Sequence, residues 1–268
     1  MDLNIQDFRY WSPIRVYETG GRAFIDWCYL GKDRFTAPFH DDTIENRLRE
    51  PFNLLFRRQT PIEFLGEIDQ RERGIAPTGF IFHVSRCGST LVSQMLAALS
   101  KNIVISEASI IDKIVRANHS FPNISIEQKA IWLRWLFNAL ARKRFDEEEH
   151  FFVKFDSWSV LDLPLIERAF PDTKWIFMYR NPVEVIVSNL REPGIQMIPG
   201  AIEAIFPAIT DGNFAAFHRR TFCPNHRRVL SIGSEARRQP ERKIYQLQSI
   251  AGSRDNRNLP AFRRFVFY

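Results

Sequence analysis

An apolar run, Phe80-Ile81-Phe82-His83-Val84, leads into Ser85-Arg86-Cys87-Gly88-Ser89-Thr90 and then into a helical pattern carrying Leu91, Val92, Met95 and Leu96. That succession builds a cradle for an oxyanion. A Gly lets the backbone turn sharply so that N–H groups can approach the anion, and the following helix adds unpaired donors and the positive end of its dipole. Ser89 and Thr90 add hydroxyl donors, and Arg86 supplies a full positive charge. The nucleoside-triphosphate loop reads G-x-x-x-x-G-K-[ST]. Here His83 stands where that pattern has its first Gly and Ser89 where it has its Lys, and the cation has moved to Arg86, two residues before Gly88. The bland alternative is a strand, turn and helix that bind nothing.

A second group follows about ninety residues later, in Trp175-Ile176-Phe177-Met178-Tyr179-Arg180-Asn181-Pro182-Val183-Glu184-Val185-Ile186-Val187-Ser188. Asn181 suits a helix cap, Pro182 its first position and Glu184 its third, so Arg180 ends a strand and Ser188 lies inside the next helix. A guanidinium and a hydroxyl there suit a phosphate, which Arg can grip bidentately.

The two motifs, in this order and each at a strand-helix junction, resemble those of sulfotransferases that use 3′-phosphoadenosine 5′-phosphosulfate (PAPS). The first is similar to the family's 5′-phosphosulfate loop, P-[KR]-S-G-[ST]-[ST], from which Ser85 and Cys87 depart. The second is similar to its 3′-phosphate site, R-[DN]-P-x-[DE]-x-x-x-S. Phe152-Val153-Lys154, Leu165, Phe170-Pro171-Asp172 and Lys174 extend the likeness over residues 79 to 192. The resemblance implies a transferase with an α/β fold, a parallel sheet with flanking helices on a P-loop NTPase-like sulfotransferase core. It implies PAPS as sulfuryl donor, no metal, and donor binding by Arg86, Cys87, Gly88, Ser89, Thr90, Arg180 and Ser188.

Sulfuryl transfer needs in-line positioning, cations and N–H groups on the oxygens, and a base for the acceptor's proton. Glu107 is the first candidate base: it ends a strand at the same edge as the loop, twenty-one residues after Arg86. Tyrosylprotein and heparan-type sulfotransferases place a catalytic Glu at a similar distance. The structural alternative is a Glu capping the helix that starts near Ser109. Asp156 is the second candidate, in Lys154-Phe155-Asp156, where small-molecule sulfotransferases carry K-T-H; a strand end or cap is its alternative role. Lys154 is either a cation for sulfuryl oxygens or a solvated strand-end Lys. Arg86 completes the catalytic set. His83 reads as a packed strand residue, and no His–Cys pairing is visible around Cys87, which argues against covalent catalysis.

These residues need strands to end at one edge. Alternation of short apolar runs with helical patterns places strands at Phe80 to Val84, Asn102 to Ser106, Phe151 to Phe155 and Lys174 to Tyr179. Ser125-Ile126-Glu127-Gln128 opens a helix whose Ile131, Trp132, Trp135, Leu136, Ala139 and Leu140 form a core stripe. Three regions are expected: an accessory region over 1–78 (a hairpin or small sheet plus a helix from a Thr60 cap to about Arg73), the core over 79–213, and an irregular or disordered basic tail over 214–268. His40-Asp41-Asp42 reads as a capped turn, since consecutive side chains rarely converge on one metal ion.

With 268 residues, 45% of them apolar, the chain can bury a full α/β core without staples. Cysteines 28, 87 and 223 are odd in number and widely spaced, which fits a reducing compartment. No leader pattern opens the chain and no apolar run approaches the length of a membrane span, so a cytoplasmic protein, with neither membrane nor nucleic-acid partner, is expected. The net charge of +6 sits in the tail: residues 214–268 carry +9 and residues 1–213 carry −3. Two alternatives to PAPS-dependent transfer stay open. One is a P-loop kinase or other NTP-using enzyme, with Asp156 beside magnesium; the missing Lys counts against it. The other is a catalytically inactive, truncated sulfotransferase-like protein, because Arg263-Arg264 lacks the Gly of the family's C-terminal basic stretch. The acceptor, whether small molecule, carbohydrate or peptide, and the oligomeric state are not encoded in any motif.

Overall fold

A computed structural model describes residues 4–191, 243–247 and 266–267. Most of the basic tail, with Cys223 and Arg263-Arg264, lies outside the described residues. The chain divides into two compact units, one formed by residues 1–80 with 90–174 and the other by 81–89 with 175–268.

The first unit opens with an antiparallel sheet of β1 (Trp11–Thr19), β2 (Arg22–Tyr29) and β3 (Arg58–Pro61), in that order. Gly20 and Gly21, both at positive φ, make the tight β1–β2 turn. Helices α1 (His40–Leu48) and α2 (Pro51–Leu55) intervene before β3, and α3 (Glu63–Arg71) follows it. The expected small sheet and helix are both present, but the helix does not start on a Thr60 cap. Thr60 and Pro61 pair with β2, and the Thr60 hydroxyl accepts from the buried Trp27 indole at 2.9 Å. Burying an indole N–H without a partner is costly, so the hydroxyl serves the sheet.

Strand β4 (Pro77–His83) is common to both units, which divide it after Phe80. Helix α4 (Ser89–Ala97) follows the loop. Then come β5 (Asn102–Ser106), α5 (Ser109–Val115), α6 (Ile126–Leu140), β6 (His150–Lys154) and α7 (Leu163–Ala169). In the first unit the strand order is β5-β6-β4, with β5 and β6 parallel and Ser106 opposite Lys154. Ser125 caps α6 through Gln128 N–H, and the expected stripe is core: Trp132, Leu136, Ala139 and Leu140 are buried. Phe137 is the hub of an aromatic cluster with Phe80, Phe151, Phe155 and Phe170. Arg142, just past α6, holds the N-terminal segment by donating to the carbonyls of Phe8 and Trp11.

In the second unit β7 (Trp175–Arg180) leads into α8 (Pro182–Arg191), and the strand order is β4-β7-β8-β9. β8 (Lys243–Leu247) runs parallel to β7, and β9 (Val266–Phe267) pairs with β8 antiparallel. Two stretches of the tail are therefore strands where the sequence suggested irregular chain. Among the described residues no helix is long and apolar enough to cross a membrane.

Candidate active site

In the second unit the loop Ser85 to Gly88 leaves β4 with two residues in the left-handed region, Arg86 at φ 63° and Gly88 at φ 91°. Gly takes that conformation without penalty, whereas Arg does not, and such strain persists where the surroundings over-determine it. The turn leaves Arg86 exposed and buries Cys87 and Ser89. Arg86 Nε donates to Ser188 Oγ at 3.0 Å, so a hydrogen bond joins the two sequence motifs. Arg180, the last residue of β7, pairs with Glu184 one turn into α8. Asn181 caps that helix as expected, its side-chain oxygen accepting from Val183 N–H at 2.9 Å. Glu184, the expected third helical residue, thus serves Arg180.

The absence of a His–Cys pairing is corrected. His83 and Cys87 face each other from the end of β4 and the loop, and both are buried. Burial alone would raise the Cys87 thiol, but hydrogen bonds and charge from His83, with Ser89, outweigh it and hold the thiol below its ordinary value. At 2% exposure the sulfur is still poorly placed to attack a substrate. His83 Nδ1 also lies 3.0 Å from the Val84 carbonyl. Four residues along a straight strand would separate these side chains. The sharp turn at Arg86 and Gly88 brings them together, which spacing alone does not reveal.

In the first unit Glu107 follows β5, with its N–H bonded to the Lys154 carbonyl at 2.7 Å, one step beyond the ladder. Its φ is 49°, a second left-handed non-glycine at a residue singled out for chemistry. The Glu107 carboxylate pairs with the Lys154 ammonium, whose side chain is 0% exposed against 23% for Glu107. Lys154 is thus no solvated strand end. Its Nζ lies 3.5 Å from Thr90 Oγ1, in the first turn of α4, and 5.4 Å from the centre of the Phe39 ring. At the head of α5 the N-cap is Ala108, and Ser109 N–H is met by the Asp41 carboxylate at 3.4 Å.

His40-Asp41-Asp42 begins α1, as the capped-turn reading expected. Asp42 accepts from Phe39 N–H, and Asp41 bonds to His40 Nδ1 at 2.8 Å. Burial works to raise the Asp41 carboxyl, but the hydrogen bonds from His40 and Ser109 hold it below its ordinary value. Asp156 stands two residues past Lys154, where its carbonyl accepts from Ser159 N–H in the turn after β6. Among the described residues no cluster of His, Cys, Asp and Glu is arranged to hold a metal ion.

Phe39 is the residue sequence reasoning missed. Pro38-Phe39 before an N-terminal helix carries no chemical signal, and only the fold sets the ring over Lys154.

No curated protein matches the chain. Among solved structures, a sulfotransferase from Alicyclobacillus acidocaldarius is similar at 12% identity and a TM-score of 0.37, covering 64% of this chain and 73% of its own. A sulfotransferase domain from the curacin biosynthetic pathway is similar at 17% identity and a TM-score of 0.40, covering 65% and 68%. Residues 77–196 match the model of the sulfotransferase family. That stretch contains the loop, Glu107, Lys154, Arg180 and Ser188, and it is similar to the sulfotransferase family.

Proposed function

We propose that this chain transfers a sulfuryl group from PAPS to a hydroxyl or amine acceptor. The observation that carries the reading is the hydrogen bond from Arg86 to Ser188, which ties a loop built for one phosphate to a helix carrying the hydroxyl of a second phosphate motif. Loop N–H groups, the Ser89 and Thr90 hydroxyls and Arg86 are assigned to the 5′-phosphosulfate, with Cys87 and Gly88 shaping the turn. Arg180 and Ser188 are assigned to the 3′-phosphate. In the transfer the acceptor oxygen or nitrogen forms a bond to sulfur as the sulfur–oxygen bond to the 5′-phosphate breaks, and the acceptor's proton passes to Glu107. Lys154, placed between Glu107 and Thr90, is the cation for the sulfuryl oxygens. Asp156 is the alternative base; Glu107 is preferred because its carboxylate stands beside Lys154, the cation assigned to the sulfuryl oxygens.

The test is calorimetric titration with 3′-phosphoadenosine 5′-phosphate (PAP) and, separately, with ATP and magnesium. Wild type should bind the bisphosphate, and Arg180→Ala should weaken binding by about 1.5–3 kcal/mol, the scale of a charged hydrogen bond. Preference for ATP would replace the reading with an NTP-using enzyme. Binding of neither would leave a fold without this chemistry.

A further inference from the structure

We propose that Phe39 is a specificity-determining residue that selects an acceptor with an apolar body, over which the acceptor lies while its nucleophile reaches Glu107. The inference rests on Glu107 as the proton acceptor. The Lys154 side chain is wholly buried, whereas the Glu107 side chain is 23% exposed and Phe39 37%. The ring centre is 5.4 Å from the ammonium that pairs with that carboxylate, within reach of one small-molecule body.

The ring is held in place from several sides. Gln94 of α4 donates to the carbonyls of Thr36 and Ala37 at 3.1 and 2.9 Å, Asp42 takes the Phe39 N–H, and Asp41 bonds to the head of α5. An exposed aromatic on a segment this well anchored is preorganised for contact.

The same bonds decide what kind of contact. Gln94 and Asp41 spend polar atoms within the protein, whereas Leu91, one turn before Gln94 on α4, and its neighbour Met95 are exposed. Hydroxyls of a carbohydrate laid over the Phe39 ring would lose hydration against an apolar surface. An alkyl or aryl body gains from each methylene it shields, and its terminal hydroxyl or amine is the group that Glu107 needs.

The experiment titrates butanol, hexanol, octanol and decanol, with glucose as polar control, into the full chain with and without saturating PAP. For wild type the affinity should rise by up to about fourfold per methylene, the factor equivalent to burying one CH2, and glucose should give no signal. Phe39→Ala should flatten the series and Phe39→Leu should restore most of its slope, with PAP affinity unchanged in both. Equal slopes for wild type and Phe39→Ala, no alcohol binding to wild type, or glucose binding as tightly as decanol would overturn the proposal. Thermal melts of both variants check the fold, and Phe39→Leu decides the matter if Phe39→Ala does not fold. Failure of PAP to bind would instead sink the donor assignment, while the series without PAP still reads Phe39.

Discussion

Glu107 and Lys154 are each tolerable because of the other. A buried ammonium without its carboxylate leaves an uncompensated charge, so Glu107→Ala should lower unfolding free energy by about 3–5 kcal/mol, measured in urea. Combining it with Lys154→Met should recover much of that loss, since the second substitution removes the orphaned charge. Glu107→Gln keeps the shape but not the base, and transfer should fall by about 10²–10⁴ with PAP affinity nearly unchanged. Arg86, Glu107, Arg180 and Ser188 were legible as candidates because strand ends and loop chemistry are encoded in local sequence. The Lys154 pairing, the His83–Cys87 contact and Phe39 were not, because each depends on where a distant strand end or a sharp turn delivers a side chain.

At the scale of elements, glycines record where backbones crowd. A Cβ on Gly74, ahead of β4, would lie 2.5 Å from the Asn138 carbonyl oxygen and 2.9 Å from the Ala141 carbonyl carbon, backbone atoms at the end of α6 that cannot rotate away. Gly74→Ala should therefore cost at least the roughly 1–3 kcal/mol of an overpacked core, seen as a lower urea midpoint. At Gly66 the nearest atoms belong to the Trp135 ring, a side chain rather than backbone, so Gly66→Ala should cost less. The four strands from β4 to β7 were readable as short apolar runs between helices, with ends shifted by only a few residues. Thr60 shows the limit of such reading: a Thr before Pro reads as a cap, and it became a strand residue because Trp27 needed an acceptor. Local pattern and tertiary demand disagreed, and burial of the indole decided.

For the whole chain, the tail now has a structural part. β8 pairs with all but the first residue of β7, setting Leu247 opposite Arg180. A chain ended at residue 213 should lose that ladder, melt lower and bind PAP more weakly than the full chain, checked by thermal melts and calorimetry. Equal stability and binding would show the strand dispensable. β8 escaped sequence reading because Lys-Ile-Tyr-Gln-Leu is a short stretch among Arg-rich polar sequence with no helix pattern beside it. The Lys154–Glu107 pair also bears on heredity. If either charge alone is costlier than both together, single substitutions that erase one are selected against for folding even where activity is not needed. A lineage that abandoned its chemistry would then still carry both residues, so their presence testifies to the fold's history and only a rate measurement testifies to catalysis.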